Sequence, residues 1–491
     1  MPALIVSDSA EDWPLENTSV DVCDAWSYLA PDMPQQRRHS RVFNLCSSYQ
    51  YQTTGYYVSL LAEARGHKPV PSIITLQDIQ SPSMLRLVSD ELDELIQQSL
   101  KPLQSENFTL SVYFGRNTAA RYERLSRQLF NIFPAPLLRF RFSKSDRWRL
   151  RAIKAIGCRE IPPSHWPFVL ESADKHFAGR SPAGRKRPRM RYDLAILHDP
   201  QAGDDSPSNS SALKKFAKAG ESLGIAVDLI TKDQAAHLLE YDALFIRATT
   251  SVNHFTYRFA RRALSEGLVV IDDPESIVRC TNKVYLAELM QRHKIATPKT
   301  LIVHRNNAEE IGEQLGFPCV LKKPDSAFSQ GVVKVKTPEE LKTRLDEFFS
   351  KSDLLVAQEF LSTNFDWRIG ILDRKPFFAC KYYMAPGHWQ IIQQSAEGNG
   401  KYGKSETIPV ELAPRKAVAV ALKAANLIGD GLYGVDVKES DGNFYVIEVN
   451  DNPNLDAGYE DQILRDELYR RIMEVFLKRI EQRKSVHGES A

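Results

Sequence analysis

A chain of 491 residues is longer than one hydrophobic core ordinarily organises, so two or three domains are expected. Hydrophobic residues make up 43% of it and charged residues 26%, and the formal net charge is only +2, which gives whole-chain attraction to nucleic acid or membrane no footing. The six cysteines are scattered without a CxxC pair, which argues against a disulfide framework and a structural zinc site and fits a reducing compartment.

The opening residues, MPALIVSDSAEDWP, lack a basic region and hold only a short apolar run, so no signal peptide is expected. No apolar stretch approaches the ~18 residues that span a bilayer, and the expected location is cytoplasmic. Residues 1–40 are polar and proline-containing and read as a partly ordered N-terminal segment. An accessory α/β domain is expected over 41–178. It holds a strand-like VFNLC from residue 41, a helical pattern over 56–65, a strand over 108–114 and a basic helix over 121–130. Residues 179–191, rich in Pro, Gly and Arg, read as a basic linker.

Regular alternation begins at 192. Strands over 192–199, 225–231, 242–248 and 268–273 alternate with helices over 212–223 and 255–266, which implies a parallel sheet with covered faces. A small Rossmann-like domain is placed at 192–280. From 281 to 484 the mixture is less regular. A helix spans 284–293, a hairpin joins 317–323 to 332–336, and strands are predicted over 353–361, 367–373 and 377–384. A helix over 415–428 precedes a hairpin over 431–450 that turns at Ser440-Asp441-Gly442-Asn443, and a charged amphipathic helix over 462–483 closes the chain. The fold class is therefore α/β and α+β, multidomain.

Chemistry concentrates in that last hairpin. Asp436 lies on one strand, and Glu448 and Asn450, two apart, project from one face of its partner. Charged oxygens emerging from an apolar strand suit magnesium, which takes few protein oxygens and fills its shell with water and phosphate. Ordinary polar alternation on a solvent-facing strand would leave the continuation NDNPNLD (450–456) unexplained. Two lysines form a second signal: Lys283 opens a helix after Thr281-Asn282, and Lys322 ends a strand. A triphosphate needs cations from more than one side, although each lysine alone reads as a surface residue. The loop 325–335 (DSAFSQGVVKV) offers small and hydroxyl residues with Gly331 at its turn, which would let backbone amides approach phosphate, but no GKS or GKT follows. AQEFL (357–361) is an apolar strand end of the kind that can read adenine, although the sequence alone favours a plain core strand.

Taken in order, the lysine before a helix, VLKKP, SQGV, QEFL, DWR and GVD…VIEVN resemble the ATP-grasp enzymes, and among them the RimK-type carboxylate–amine ligases, over roughly 190–480 and including FIRATT (245–250). The first ~170 residues resemble the extra N-terminal domain of a subset of RimK-like proteins. The resemblance implies an ATP-grasp fold preceded by a pre-ATP-grasp domain. It implies an ADP-forming ligase that joins a carboxylate to an amine, such as glutamate, through an acyl phosphate. The cofactors would be ATP and magnesium, with manganese as an alternative. The partners would be a small amino acid and a peptide or protein carboxylate, without membrane or nucleic acid, and a homo-oligomer is compatible.

Carried over, Lys283, Lys322 and the loop residues Ser329, Gln330 and Gly331 would contact phosphates. Gln358, Glu359, Phe360 and Leu361 would line adenine, largely by backbone, and Asp366 would face the ribose. Arg368 and Lys381 would serve catalysis near the transferred phosphate or the substrate carboxylate, and Asp436, Glu448 and Asn450 would hold the metal. The phosphate loop is less glycine-rich than the family pattern, and 397–406 departs from the family's substrate-side loop. The rival readings are an ATP-grasp kinase, or a non-catalytic nucleotide-binding regulator with nucleic-acid contacts through 139–159 and 179–191. In the first of those stretches Phe140, Phe142 and Trp148 interleave with arginines as stacking residues would.

Overall fold

The structure is a computed structural model that describes residues 3–14, 20–30, 41–178, 190–325, 331–393 and 401–486. The chain divides into two compact units. The first comprises Met1–Arg189, Asp233–Tyr241 and Ser485–Ala491, the second Met190–Lys232 and Asp242–Lys484.

In the first unit a four-stranded parallel sheet runs in the order Asp21–Asp24, Ala3–Ser7, Arg41–Asn44, Lys68–Val70. Ala3–Ser7 is an inner strand with Leu4, Ile5 and Val6 buried, which corrects the reading of residues 1–40 as a polar, partly ordered segment. ALIVS is a short unbroken apolar run, the pattern of a parallel strand covered on both faces, and the polar residues around it conceal it in any average.

A second, antiparallel sheet joins Asn107–Tyr113, Leu137–Lys144 and Trp148–Ala155. Here lies the basic stretch 139–159. Phe140, Phe142 and Trp148 are at most 2% exposed and pack with Leu110, Leu125 and Leu129, so they are core and cannot stack on bases. The arginines interleave because strand side chains alternate, and Arg139 and Lys154 both pair with Glu160 (3.5 and 2.7 Å). Of the basic linker 179–191, only residues 190 and 191 lie within the described residues.

The second unit opens with a parallel sheet in the order Val269–Ile271, Ala243–Arg247, Tyr192–His198, Ile225–Ile230, accompanied by the helices Ser210–Ser222 and Phe255–Ser265. A small antiparallel sheet follows, ordered Thr300–Val303, Leu355–Glu359, Cys319–Lys322, Val332–Val335. The larger antiparallel sheet is ordered Ser405–Ile408, Lys375–Tyr383, Phe365–Leu372, Leu432–Ser440, Asn443–Asn450.

One face of that sheet presents Trp367, Ile369, Val435, Val437, Val446 and Val449 to the helix Arg415–Ile428. The helix meets it with Ala417, Ala421, Ala424 and Ala425, all buried, and their small side chains let it lie close. The last hairpin turns through Asp441 (φ 50°) and Gly442 (φ 74°), the two-residue turn with both φ positive that matches strand twist. Among the described residues no helix is long and apolar enough to cross a membrane.

Candidate active site

Burying Trp367, Ile369, Val435 and Val437 against the helix forces their neighbours to the other face of the pleat. There the register aligns Cys380, Arg368, Asp436 and Glu448 side by side across four strands. Arg368 donates to both carboxylate oxygens of Asp436, from Nε to Oδ1 and from NH2 to Oδ2 at 2.9 Å, a two-pronged fit that a guanidinium makes well. Burial raises the Asp436 pKa, and Arg368 only partly reverses it. Burial also works against charge on Arg368, but Asp436 more than offsets it and the guanidinium stays firmly protonated.

Gly434 leaves room for this pair: a Cβ there would come within 2.7 Å of Pro453 Cβ and 2.9 Å of Arg368 Cδ. Opposite Gly434, Asn450 donates from Nδ2 to Gly434 O (3.3 Å) and Asp436 Oδ2 (3.4 Å). The register slips between Asp436 and Val437, so that Asp436 faces Glu448 while Val437 faces Val446. Ile447 is thus an extra residue, a bulge of the kind that re-aims side chains beside active sites.

Lys283 heads the helix Lys283–Arg292, whose first turn is capped by Asn282. Its N–H donates to Pro324 O at 2.9 Å and its Nζ to Glu448 Oε1 at 2.8 Å. Burial would raise the Glu448 pKa, but Lys283, then Lys322 and Arg368, outweigh it and hold the carboxyl below its usual value. Lys322 is 8% exposed. Burial drives its pKa down to about 8, with Lys283 and Lys438 adding to the effect and Glu448 and Asp366 opposing it.

Lys438 was not singled out in the sequence. It lies two residues beyond Asp436, in phase with it, and donates to Asp366 Oδ1 (2.6 Å) and Thr363 Oγ1 (2.7 Å). Asp366, expected at the ribose, is therefore engaged by Lys438 and by Thr363 Oγ1 at 2.9 Å. Thr300, Val356 and Gln358 of the small sheet, Leu286 and Met290 of the Lys283 helix, and Ile447 with Glu448 enclose a narrow slot beside the two lysines.

Lys381 does not join this face. It pairs laterally with Trp367 and Glu406, so the pleat turns it to the helix side. There its Nζ lies 5.4 Å from the Phe365 and Trp367 ring centroids and 3.5 Å from Glu406 Oε2. The expectation that it shares a cleft with the metal hairpin is corrected accordingly.

Along the hinge, Gln358 donates from Nε2 to Thr300 Oγ1 at 2.8 Å. The Glu359 N–H is used by Lys299 O (2.9 Å), and its Oε1 accepts from the Lys299 N–H (2.6 Å), so neither group is turned to a nucleotide. Phe360 lines a cavity of about 770 Å³ with Lys334, Lys336, His388 and Trp389; Lys334 Nζ sits 3.4 Å from the Phe360 ring centroid. Leu361 follows the strand end in the same hinge. Gly331 has φ 75°, as a turn residue should, and its carbonyl accepts from the Lys323 N–H at 2.9 Å. Ser329 and Gln330 lie outside the described residues.

Sequence reasoning missed the support beneath the hairpin. Arg247, in the FIRATT strand end, is fully buried and donates to Ser208 Oγ (2.9 Å), Asn452 Oδ1 (2.6 Å), Pro453 O (2.8 Å) and Pro207 O. Asn452 Nδ2 returns a bond to Ala248 O at 2.7 Å. Burial lowers Arg247 to about 10. An arginine in an apolar strand with no acidic residue beside it was the available signal. It locks the NDNPN loop that leaves the last strand.

Residues 280–466 match the RimK-like ATP-grasp domain, and residues 25–172 match the RimK-like ATPgrasp N-terminal domain. Together the two matches span more than half of the chain. The chain belongs to the RimK-like ATP-grasp family and is an ADP-forming carboxylate–amine ligase. It is 29% identical to the alpha-aminoadipate–LysW ligase LysX of Saccharolobus solfataricus over 195 residues, which is 38% of this chain and 67% of that protein. A probable alpha-L-glutamate ligase of Vibrio vulnificus is 24% identical over 268 residues, 51% of this chain and 86% of that protein. The ATP complex of D-alanine–D-alanine ligase from Bacillus anthracis aligns with a TM-score of 0.44 at 19% identity, over 60% of this chain and 99% of that one.

Proposed function

We propose that this chain ligates an acidic α-amino acid, through its amine, to a peptide or protein carboxylate by way of an acyl phosphate. The observation that carries the mechanism is the row Arg368–Asp436–Glu448 on one sheet face with Lys283 bonded to Glu448. The substrate class rests on the relatives, whose names specify aminoadipate and glutamate.

Four cations (Lys283, Lys322, Arg368, Lys438) and three carboxylates (Asp366, Asp436, Glu448) share this region. Much of that charge is held in internal pairs. Asp436, Glu448 and the Asn450 amide oxygen form a hard-oxygen set that fits magnesium. Bound there, magnesium would offset charge on the β- and γ-phosphate oxygens. Arg368 and Lys283, which pair with Asp436 and Glu448 respectively, and Lys322 of the small sheet would supply positive charge to the triphosphate. The slot walled by Leu286, Met290, Val356 and Ile447 would take the adenine away from water.

In the first step a substrate carboxylate oxygen attacks the γ-phosphorus, the bond to the β-phosphate oxygen breaks, and ADP leaves. In the second the amine nitrogen attacks the acyl carbon and inorganic phosphate departs, the amine proton passing to phosphate or solvent. Arg368 holds the negative charge of the transferred group, and no enzyme nucleophile is needed.

Glutamate, aminoadipate and short peptides, supplied singly and in pairs with ATP, should release ADP and phosphate only in a productive pair. Hydroxylamine with the carboxylate substrate alone should yield a hydroxamate. A stable phosphorylated product would mark a kinase, and AMP with pyrophosphate would sink the acyl-phosphate route.

A further inference from the structure

The first unit holds a cluster that the ligase chemistry does not use. His176 stands near the end of the helix Trp166–Ala178, while His237 and Glu240 belong to Asp233–Tyr241, the segment the chain contributes to this unit after leaving the other one. His237 Nδ1 lies 2.6 Å from Glu240 Oε1, and His176 Nε2 lies 3.9 Å from the same oxygen. The two imidazoles stack at 4.7 Å with planes 23° apart, so one nitrogen of each and one carboxylate oxygen all lie within 4.8 Å of one another.

We propose that His176 Nε2, His237 Nδ1 and Glu240 Oε1 form a binding site for a divalent transition metal of the zinc class, which staples residues 233–241 to the helix ending at Ala178. Neutral imidazole and carboxylate are the ligand types zinc takes. Tetrahedral bonds of ~2.0–2.1 Å place ligand atoms roughly 3.3 Å apart, between the two separations seen here. Binding requires the 2.6 Å pair to open and the 3.9 Å pair to close, each by less than about 1 Å, and the two ring nitrogens, which lie within 4.8 Å of each other, to settle at the same spacing.

The surroundings suit this use. Arg41 pairs with the other oxygen, Glu240 Oε2, and fixes the carboxylate as outer-sphere partners do. Phe43, Phe114 and Phe130 surround His176 with centroids 5.4 to 6.0 Å away, an apolar shell that limits competing water. His176 and Glu240 are almost wholly buried, whereas the His237 side chain is 28% exposed, which provides an entry path and room for a water as fourth ligand. The absence of paired cysteines has no bearing on a histidine–carboxylate set.

The test uses the full chain, stripped with chelator and titrated with Co²⁺ while millimolar Mg²⁺ occupies oxygen-only sites. One Co²⁺ per chain should bind with visible absorption bands of nitrogen ligation and be displaced by Zn²⁺. Glu448→Gln should leave this binding unchanged, which separates the cluster from the ligase site. His237→Ala should weaken it by more than about 100-fold, beyond the cost of losing an outer-sphere partner. His237→Cys should restore binding and add a thiolate-to-cobalt charge-transfer band, so an informative variant remains even where the alanine form folds poorly. No stoichiometric binding by the wild type, or a His237→Cys spectrum without that band, overturns the proposal.

Discussion

Glu448 meets Lys283 at 2.8 Å and stands beside Asp436 in register, so on the proposed function its charge would serve both the hard-oxygen set and the placement of a lysine toward phosphate. Glu448→Gln keeps the shape and removes the charge. Turnover should fall on the order of 10²–10³, the usual cost of one electrostatic stabiliser, while circular dichroism stays unchanged. Near-normal turnover at saturating magnesium would remove Glu448 from the site. Lys322 gives a pH signature. Its ammonium titrates at about 8 in the folded protein against 10.5 in an unperturbed lysine, so between those values the unfolded chain binds more protons. The resulting destabilisation is full below pH 8 and is relieved as pH rises toward 10.5. On the proposed function ATP would use the ammonium, so nucleotide affinity should drop as pH climbs through 8, and Lys322→Gln should flatten that dependence. Calorimetric titrations at pH 7 and pH 9 measure both, and an affinity in the wild type that does not change between them would contradict the buried-cation reading. That Asp436 and Glu448 share one hairpin was legible from the two-residue turn at Asp441-Gly442, but counting from that turn sets Asp436 opposite Ile447, and only the bulge at Ile447 brings Glu448 to face it. Lys381 was not legible, because the turn Asp373-Arg374 that joins its strand to Phe365–Leu372 carries no glycine to mark it, a bulge between Gly370 and Ile371 shifts the count from that turn, and the facing depends on which side the helix Arg415–Ile428 covers. Lys438 had the right phase from Asp436, but a lone strand lysine carries no mark that separates it from a solvated one.

At the scale of elements, alternating strands and helices over 192–273 were readable because each has a strong period and sufficient length. What escaped were strands whose patterns were diluted. Arginines occupy every solvent-side position of Leu137–Lys144 and Trp148–Ala155 near the centre, and the eye takes the charge before the alternation. Ala3–Ser7 is five residues long, too short to show a period at all. That strand makes a direct prediction. Ile5 is fully buried and packs in one core with Trp13, Phe43 and Val70, so Ile5→Ala should cost about 2–5 kcal/mol of stability, measured by urea denaturation of the full chain. A loss below about 0.5 kcal/mol would return residues 3–7 to the status of a dispensable surface segment. The same contrast governs the nucleic-acid reading: side chains committed to a core offer no faces for bases.

For the whole molecule, the exchange of one short segment between units changes how a dissection must be designed. Lys283, Lys322, Arg368, Asp436, Glu448 and Asn450 all belong to the second unit, whereas Asp233–Tyr241, which interrupts it in sequence, belongs to the first. A fragment of residues 190–486 therefore keeps every proposed nucleotide residue but carries a segment deprived of its partners. In the intact chain the Ala236 N–H donates to Asn131 Oδ1 at 3.2 Å, Glu240 pairs with Arg41, and Ala236, Leu238 and Leu239 are buried. Freed of that cover, Leu238 and Leu239 become exposed apolar surface, and the unaltered fragment should associate on size-exclusion chromatography. The same fragment with Leu238→Ser and Leu239→Ser should run as a monomer. Both forms should be stabilised by ATP with magnesium, by about 2.7 kcal/mol at a ligand concentration a hundredfold above Kd, visible as an upward shift in Tm. A monomeric, folded fragment that ATP and magnesium do not stabilise would show that the first unit supplies part of the nucleotide site.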